Sequence, residues 1–209
     1  MKIQGPTGDA VEMSGIMEAG FQPLGVVPAR RGGWIQTFTG KRYYPADPRA
    51  EDVCLEDIAH ALSMICRYTG HTREFYSVAE HSVLVSQLVP FDLRFEALLH
   101  DAAEAYCHDL SSPLKASVPD YRQILDLNER LIREVFGLPE QEHPEVKKAD
   151  LAILPNEYAV FMPEKNRPDL GPLIPHLILR GLSPKAAEHF FMDRFTDLLV
   201  DWRPHVRTA

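Results

Sequence analysis

From residue 55 onward, apolar positions recur at three- and four-residue steps, the period that gathers them on one face of an α-helix. Leu55, Ile58, Ala59, Leu62, Ile65 and Cys66 form the first such stripe, and Gly70 is placed to end it. Ser77-Val78-Ala79-Glu80 reads as a capping box, in which the serine hydroxyl accepts an otherwise unpaired N–H and the glutamate reaches back to the cap. The helix it opens runs toward Pro90. Phe95, Leu98, Leu99, Ala102 and Tyr106 mark the next helix, and Ser112-Pro113 reads as the cap and first position of another. Ile124, Leu127, Leu131 and Val135, closed by Gly137, mark a longer one, and Pro144 opens a helix through Val146, Asp150 and Ile153. Beyond a proline-rich stretch at 163–175, Ser183-Pro184 starts the last helix, with Ala187, Phe190, Phe191, Arg194, Phe195, Leu198 and Trp202 on one face.

Only one segment alternates with the period of a strand. Trp34 to Tyr44 places β-favouring residues on either side of Gly40, the pattern of a short hairpin, before Pro45 and Pro48 stop it. Residues 1–33 show no sustained period and read as a loosely ordered lead-in, leaving 34–209 as a single domain. The expected fold is therefore all-α, a helical bundle with a short N-terminal β-hairpin, without internal repeats.

A chain of 209 residues with 45% hydrophobic and 25% charged residues and a mean hydropathy of −0.20 is long and apolar enough for one globular core. No apolar run approaches the roughly 20 residues of a spanning helix, so no membrane partner is expected. The net charge of −8 and a sequence pI near 5.6 oppose binding of polymeric nucleic acid or anionic lipid through bulk charge. A phosphate could still be captured, but only locally. Cys54, Cys66 and Cys107 have neither metal-knuckle nor disulfide spacing, and the N-terminus lacks a secretory pattern, which together suggest a cytoplasmic protein.

Five of the nine histidines fall between His60 and His108. His81 lies one turn inside the capped helix, on the side of Val85 and Leu88, where an imidazole needs a partner. His100-Asp101 stands at the border of an apolar face, as does Asp150 between Val146 and Ile153. Buried polar groups on three helices satisfy one another if a divalent cation sits among them, and two imidazoles with two carboxylates suit Mn²⁺, Co²⁺, Fe²⁺, Zn²⁺ or Mg²⁺. Adjacent His100 and Asp101 cannot share one helical stripe, but at a bend facing a cavity they flank a cation from two sides. Glu104, four residues after His100, overhangs that point in position to move protons, and Asp109 follows in the next loop. A metal-activated water, a proton-transfer carboxylate and an orienting carboxylate are the parts of a hydrolase.

Ala79-Glu80-His81-Ser82, Leu98-Leu99-His100-Asp101-Ala102-Ala103-Glu104-Ala105 and Lys148-Ala149-Asp150 together resemble the H…HD…D signature of the HD-domain metal-dependent phosphohydrolases. The resemblance spans about residues 52 to 160. Within that superfamily the chain looks most similar to the 5′-deoxynucleotidases and the phage dATP triphosphohydrolases, through Arg67-Tyr68 and the run from Asp109 to Lys115. It differs in having Tyr68 where the bacterial nucleotidases have Trp, and His108 where Gly is common. The resemblance implies an HD-domain bundle that binds one divalent metal through His81, His100, Asp101 and Asp150. Glu104 and Asp109 would handle the water and leaving group, while Arg67 and Lys115 hold phosphate. Tyr68 belongs to the same substrate-binding pair. His71 and Arg73 are further candidates for phosphate contact, Trp34 and Ile35 for a wall against a base, and a homo-oligomer is implied. The expected substrate is a deoxynucleoside 5′-monophosphate or triphosphate. A guanosine alarmone or cyclic nucleotide as substrate, and a non-catalytic nucleotide sensor with the same fold, are the alternatives.

Overall fold

The computed structural model describes residues 29–202, so nearly all of the lead-in expected over 1–33 lies outside the described residues. From Arg31 on, they form one compact unit, mostly helical, with one two-stranded antiparallel hairpin. No helix among the described residues is long and apolar enough to cross a membrane.

The hairpin pairs β1 (Ile35–Gln36) with β2 (Arg42–Tyr43), with Ile35 opposite Tyr43. Gly40, at φ 86°, supplies the left-handed residue of its turn. Three interactions pin it to the helices. Asp57, buried on α1 (Leu55–Met64), accepts both the N–H and the hydroxyl of Thr39, at 2.7 and 2.9 Å. Tyr43 is fully buried, stacks on Tyr106 at 3.7 Å and donates its hydroxyl to Asn128 at 2.6 Å. At the tip, Phe38 stacks on His60 at 3.8 Å, and His60 Nδ1 lies 3.1 Å from Glu188.

The centre of the bundle is α2 (Val78–Gln87), buried from Val78 through Ser86 and packed on α1, on α3 (Arg94–Leu98), on α7 (Pro144–Phe161) and on α8 (Pro184–Asp201). The Ser77 hydroxyl caps it as expected, accepting from Glu80 N at 3.1 Å. The reciprocal half of the capping box is absent. Glu80 turns its carboxylate to the backbone N–H groups of Arg180, Gly181 and Leu182, at 2.7, 3.2 and 2.7 Å, and so ties the chain entering α8 to the core. Three N–H donors outbid the one at the cap because a fully buried carboxylate must have all its lone pairs engaged.

Two other expectations change. The helix expected through Phe95–Tyr106 is two short helices, α3 and α4 (Glu104–Cys107), with turns between them carrying His100 and Asp101. The cap expected at Ser112 moves back one residue: α5 (Ser112–Ser117) starts at that serine, and Ser111 stands in the cap position. The face of α8, including Ala187, Phe191, Phe195 and Leu198, packs as core against α1, α2 and α3. The long helix closed by Gly137 at φ 67° is α6 (Pro119–Val135). α7 continues through Pro155, which lacks one backbone N–H yet does not end the helix.

Candidate metal centre

The break between α3 and α4 turns His100 and Asp101 out of any single helical stripe and toward α2 and α7. His81, at the centre of α2, is wholly buried. Its Nε2 lies 3.2 Å from Asp150 Oδ1 and 3.7 Å from Asp101 Oδ2, while His100 Nε2 lies 3.2 Å from Asp101 Oδ2 and 3.9 Å from Asp150 Oδ1. His81, His100 and Asp150 each offer one atom within 4.8 Å of the others, a group able to hold a metal ion. Asp101 stands against both imidazoles at its edge.

The orientation of each ring is set from behind. His81 Nδ1 donates to Glu157 Oε1 at 2.7 Å and His100 Nδ1 donates to the carbonyl of Ala97 at 2.8 Å, acceptors that can only take a proton from the ring. Both Nε2 atoms therefore face the site, buried and without a hydrogen-bond partner. Buried imidazole nitrogens left over after the opposite nitrogen has been fixed by a carboxylate or carbonyl fit a divalent cation. Burial alone would depress His100, but the carboxylates of Asp101 and Asp150 outweigh it and hold the ring up at about 9. Burial also opposes ionisation of Asp101 and Asp150, and here the imidazoles win, drawing both carboxyls well below the ordinary range. The cluster is poised to exchange positive charge.

Glu157 is the residue that sequence reasoning missed. It lies seven positions after Asp150, two turns along the inner face of α7, and is fully buried. One oxygen takes Tyr76 OH at 2.8 Å and His81 Nδ1; the other takes Arg67 at 3.1 Å and Tyr68 OH. Burial works against its charge, yet Arg67 and His81 hold it down at about 2. The seven-residue spacing from Asp150 was a usable signal, but Pro155 between them disguised the helix as one about to end.

A protein of Escherichia coli named Uncharacterized protein YfdR is 43% identical to this chain over 178 residues, covering 79% of this chain and 95% of the relative. The chain belongs to the YfdR family. An uncharacterized protein of Rhodobacter capsulatus is 37% identical over 128 residues, 56% of this chain and 64% of its own length. No protein-family model matches.

Beside the cluster, Lys115 on α5 places Nζ 2.7 Å from Glu104 Oε1 and 3.6 Å from Asp109. Glu104 Oε2 is buried without a hydrogen-bond partner. Burial, with the negative charges of Asp101 and Asp109, pushes the Glu104 carboxyl well above the ordinary range against the opposing pull of Lys115. A buried carboxyl with one anchored and one unengaged oxygen is suited to carrying a proton. His100, Asp101, Glu104 and Lys115 line one cavity of about 510 Å³, whose further walls come from α6 and from residues 140–142.

Of the other candidates, Arg67 is engaged within the protein, its guanidinium pairing with Glu157 and reaching to 3.8 Å from Asp101. Tyr68, Thr69 and Gly70 all have positive φ, a left-handed turn that brings the Tyr68 hydroxyl back onto Glu157. Arg73 donates to the carbonyls of Ala159 and Val160 at the end of α7, and neither it nor exposed His71 lines the cavity. Trp34 lies beneath Arg42. Ile35 instead lines an apolar pocket with Ala61, Met64 and Tyr106 that reaches the far side of Glu104.

Two predictions arise at this point in the YfdR-family chain. His108 has φ 71° and ψ 156°, a region that essentially only glycine adopts. Relief of about 1–3 kcal/mol of strain, less the 0.5–1 kcal/mol that glycine's extra freedom costs, leaves His108→Gly more stable by about 1 kcal/mol, or about 2–4 °C in Tm. An unchanged or lower Tm in thermal unfolding would show that His108 carries no such strain. The Cys107 thiol is pushed up to about 12 by burial together with Glu129 and Glu104. At pH 8 its thiolate fraction falls about a thousandfold below that of an ordinary thiol. Mass spectrometry should find iodoacetamide labelling of Cys107 slower by about that factor in the folded protein than in urea; equal rates refute the assignment.

Proposed function

We propose that this YfdR-family protein is an HD-domain, metal-dependent phosphohydrolase of deoxynucleoside 5′-phosphates. The observation that carries the reading is the convergence of two buried, unpartnered imidazole Nε2 atoms on Asp101 and Asp150, beside a buried Glu104 with one unengaged oxygen at the wall of a cavity. His81, His100, Asp101 and Asp150 would hold the ion; Co²⁺, Mn²⁺, Zn²⁺, Fe²⁺ and Mg²⁺ all accept that donor set. A divalent ion bound there supplies a Lewis acid for the α-phosphate and a water of lowered pKa.

The protein's own residues do the rest. Glu157 and the Ala97 carbonyl keep the two imidazoles aimed inward. Glu104 takes the proton of the attacking water on Oε2, while Lys115 holds Oε1 and spans the gap to Asp109, on the side given to the leaving oxygen. Positive charge from Lys115 so close to Glu104 steadies a phosphate arriving at the cavity. Arg67 acts from behind, bracing Glu157 and Asp101.

The test is phosphate release from a panel of deoxynucleoside mono- and triphosphates, with each of the five ions, on purified protein. Asp101→Ala is expected to lose both bound ion, measured by mass spectrometry of the metal, and turnover. Wild-type metal content in that variant, or no release from any nucleotide with any ion, overturns the reading.

A further inference from the structure

The two carboxylates of the metal centre are not held alike. Asp101 turns one oxygen, Oδ2, to both imidazoles, 3.2 Å from His100 Nε2 and 3.7 Å from His81 Nε2, and Arg67 approaches that same oxygen at 3.8 Å. Asp150 divides its oxygens. Oδ1 lies 3.2 Å from His81 Nε2 and 3.9 Å from His100 Nε2, while Oδ2 accepts from Lys147 Nζ at 2.6 Å. The helix makes this pairing, since Lys147 lies three residues before Asp150 on α7 and the two side chains rise from one face. Lys115, Arg122, Arg130 and Arg133 line the neighbouring cavity with Lys147, yet none of them pairs with Asp150 among the described residues. The hold on Oδ2 is therefore the work of one side chain.

That bond does little for stability. The Lys147 side chain is 57% exposed, and ion pairs so open to solvent are weak. Its consequence lies in what Asp150 can offer a cation, because a carboxylate with one oxygen engaged by an ammonium has one oxygen left to give. Ca²⁺ gathers about six to eight oxygen ligands and readily takes both oxygens of a carboxylate, whereas Mn²⁺, Co²⁺ and Zn²⁺ accept imidazole nitrogens and need fewer ligands. We propose that Lys147 is a specificity-determining residue for the ion, its hold on Asp150 Oδ2 denying that oxygen to Ca²⁺ and favouring the smaller ions that two imidazoles suit. This inference rests on the metal reading of the site and not on which substrate is cleaved.

The experiment is calorimetric titration of the intact, metal-free protein with Mn²⁺ and with Ca²⁺, read as the ratio of the two dissociation constants. Removing a positive charge beside the site tightens both ions alike, because they carry the same charge, so the ratio reports the freed oxygen. The wild type is expected to favour Mn²⁺, and Lys147→Met to narrow that preference by about tenfold, the scale of one added charged contact. Lys147→Arg keeps a donor on Oδ2 and should hold the wild-type ratio. So should Lys148→Met, which removes the same charge one residue along, from a side chain that pairs with Glu145 at 3.5 Å instead. A ratio unmoved in Lys147→Met, or moved as far in Lys147→Arg or Lys148→Met, overturns the proposal. The two readings fail separately. Mn²⁺ binding with a ratio indifferent to Lys147 removes the selectivity and leaves the metal centre, and a wild type that binds neither ion removes both. A ratio that moves as expected, in a protein that cleaves no nucleotide, removes the phosphohydrolase and leaves the role of Lys147.

Discussion

Glu157→Ala is expected to lower the stability of the fold by about 3–5 kcal/mol, the cost of breaking a buried ion pair from one side. The magnitude follows from what the carboxylate holds. Removing it leaves the Arg67 guanidinium, the Tyr68 and Tyr76 hydroxyls and His81 Nδ1 without their acceptor, in a region where water cannot replace it. For a protein of this size the loss corresponds to about 10 °C in Tm. Glu157→Gln separates packing from charge. It keeps an oxygen for some donors, but it removes the anion that makes His81 a better donor to a cation, and divalent affinity should fall by about 10- to 100-fold with a smaller change in Tm. Calorimetric titration with Mn²⁺ or Zn²⁺, beside thermal unfolding of both variants, checks the pair of effects. If Glu157→Ala melted within 2 °C of the wild type, by about the smallest step a single kcal/mol produces, the network would not bear on stability as argued.

Glu104→Gln is expected to retain the ion and lose turnover by about 10²- to 10⁴-fold, the usual share of a general acid–base group. The amide keeps the volume of the carboxyl and can still meet Lys115, but it cannot take a proton from water. Metal content should match the wild type, because Glu104 pairs with Lys115 and, unlike Asp101, makes no ion pair with either imidazole among the described residues. A kcat within threefold of wild type on the best nucleotide, well short of the ~10² expected of a proton-transfer group, would sink its role in proton transfer. Loss of the ion along with activity would mean that Glu104 belongs among the ligands.

How much of this was legible beforehand varies residue by residue. Ser77 and the apolar stripes around Ile58, Leu98 and Phe191 are read from spacing because capping and helical amphipathicity are local properties, determined within a few residues. His81, His100, Asp101 and Asp150 were legible as a set, since polar groups on apolar faces have few explanations other than one another. Glu157 was not, because its four partners come from up to 90 positions away. At Arg67 and Arg73 the partners were likewise out of reach of the sequence. A cation in a loop near a candidate phosphate site invites a ligand role, and only the packing reveals that a buried carboxylate and the open end of α7 take those donors first.

The sequence by itself determined a helical domain with a short hairpin and the residue types of one polar cluster, because these follow from the period of apolar positions and the cost of burying charge alone. The tertiary structure decided which atom of each imidazole faces the site, where the α3–α4 break falls and which charges in the cavity are already paired. Those outcomes depend on competition among donors and acceptors from distant segments. The winner of such a competition is set by which groups the fold brings within 3 Å or so, where hydrogen bonds are strong.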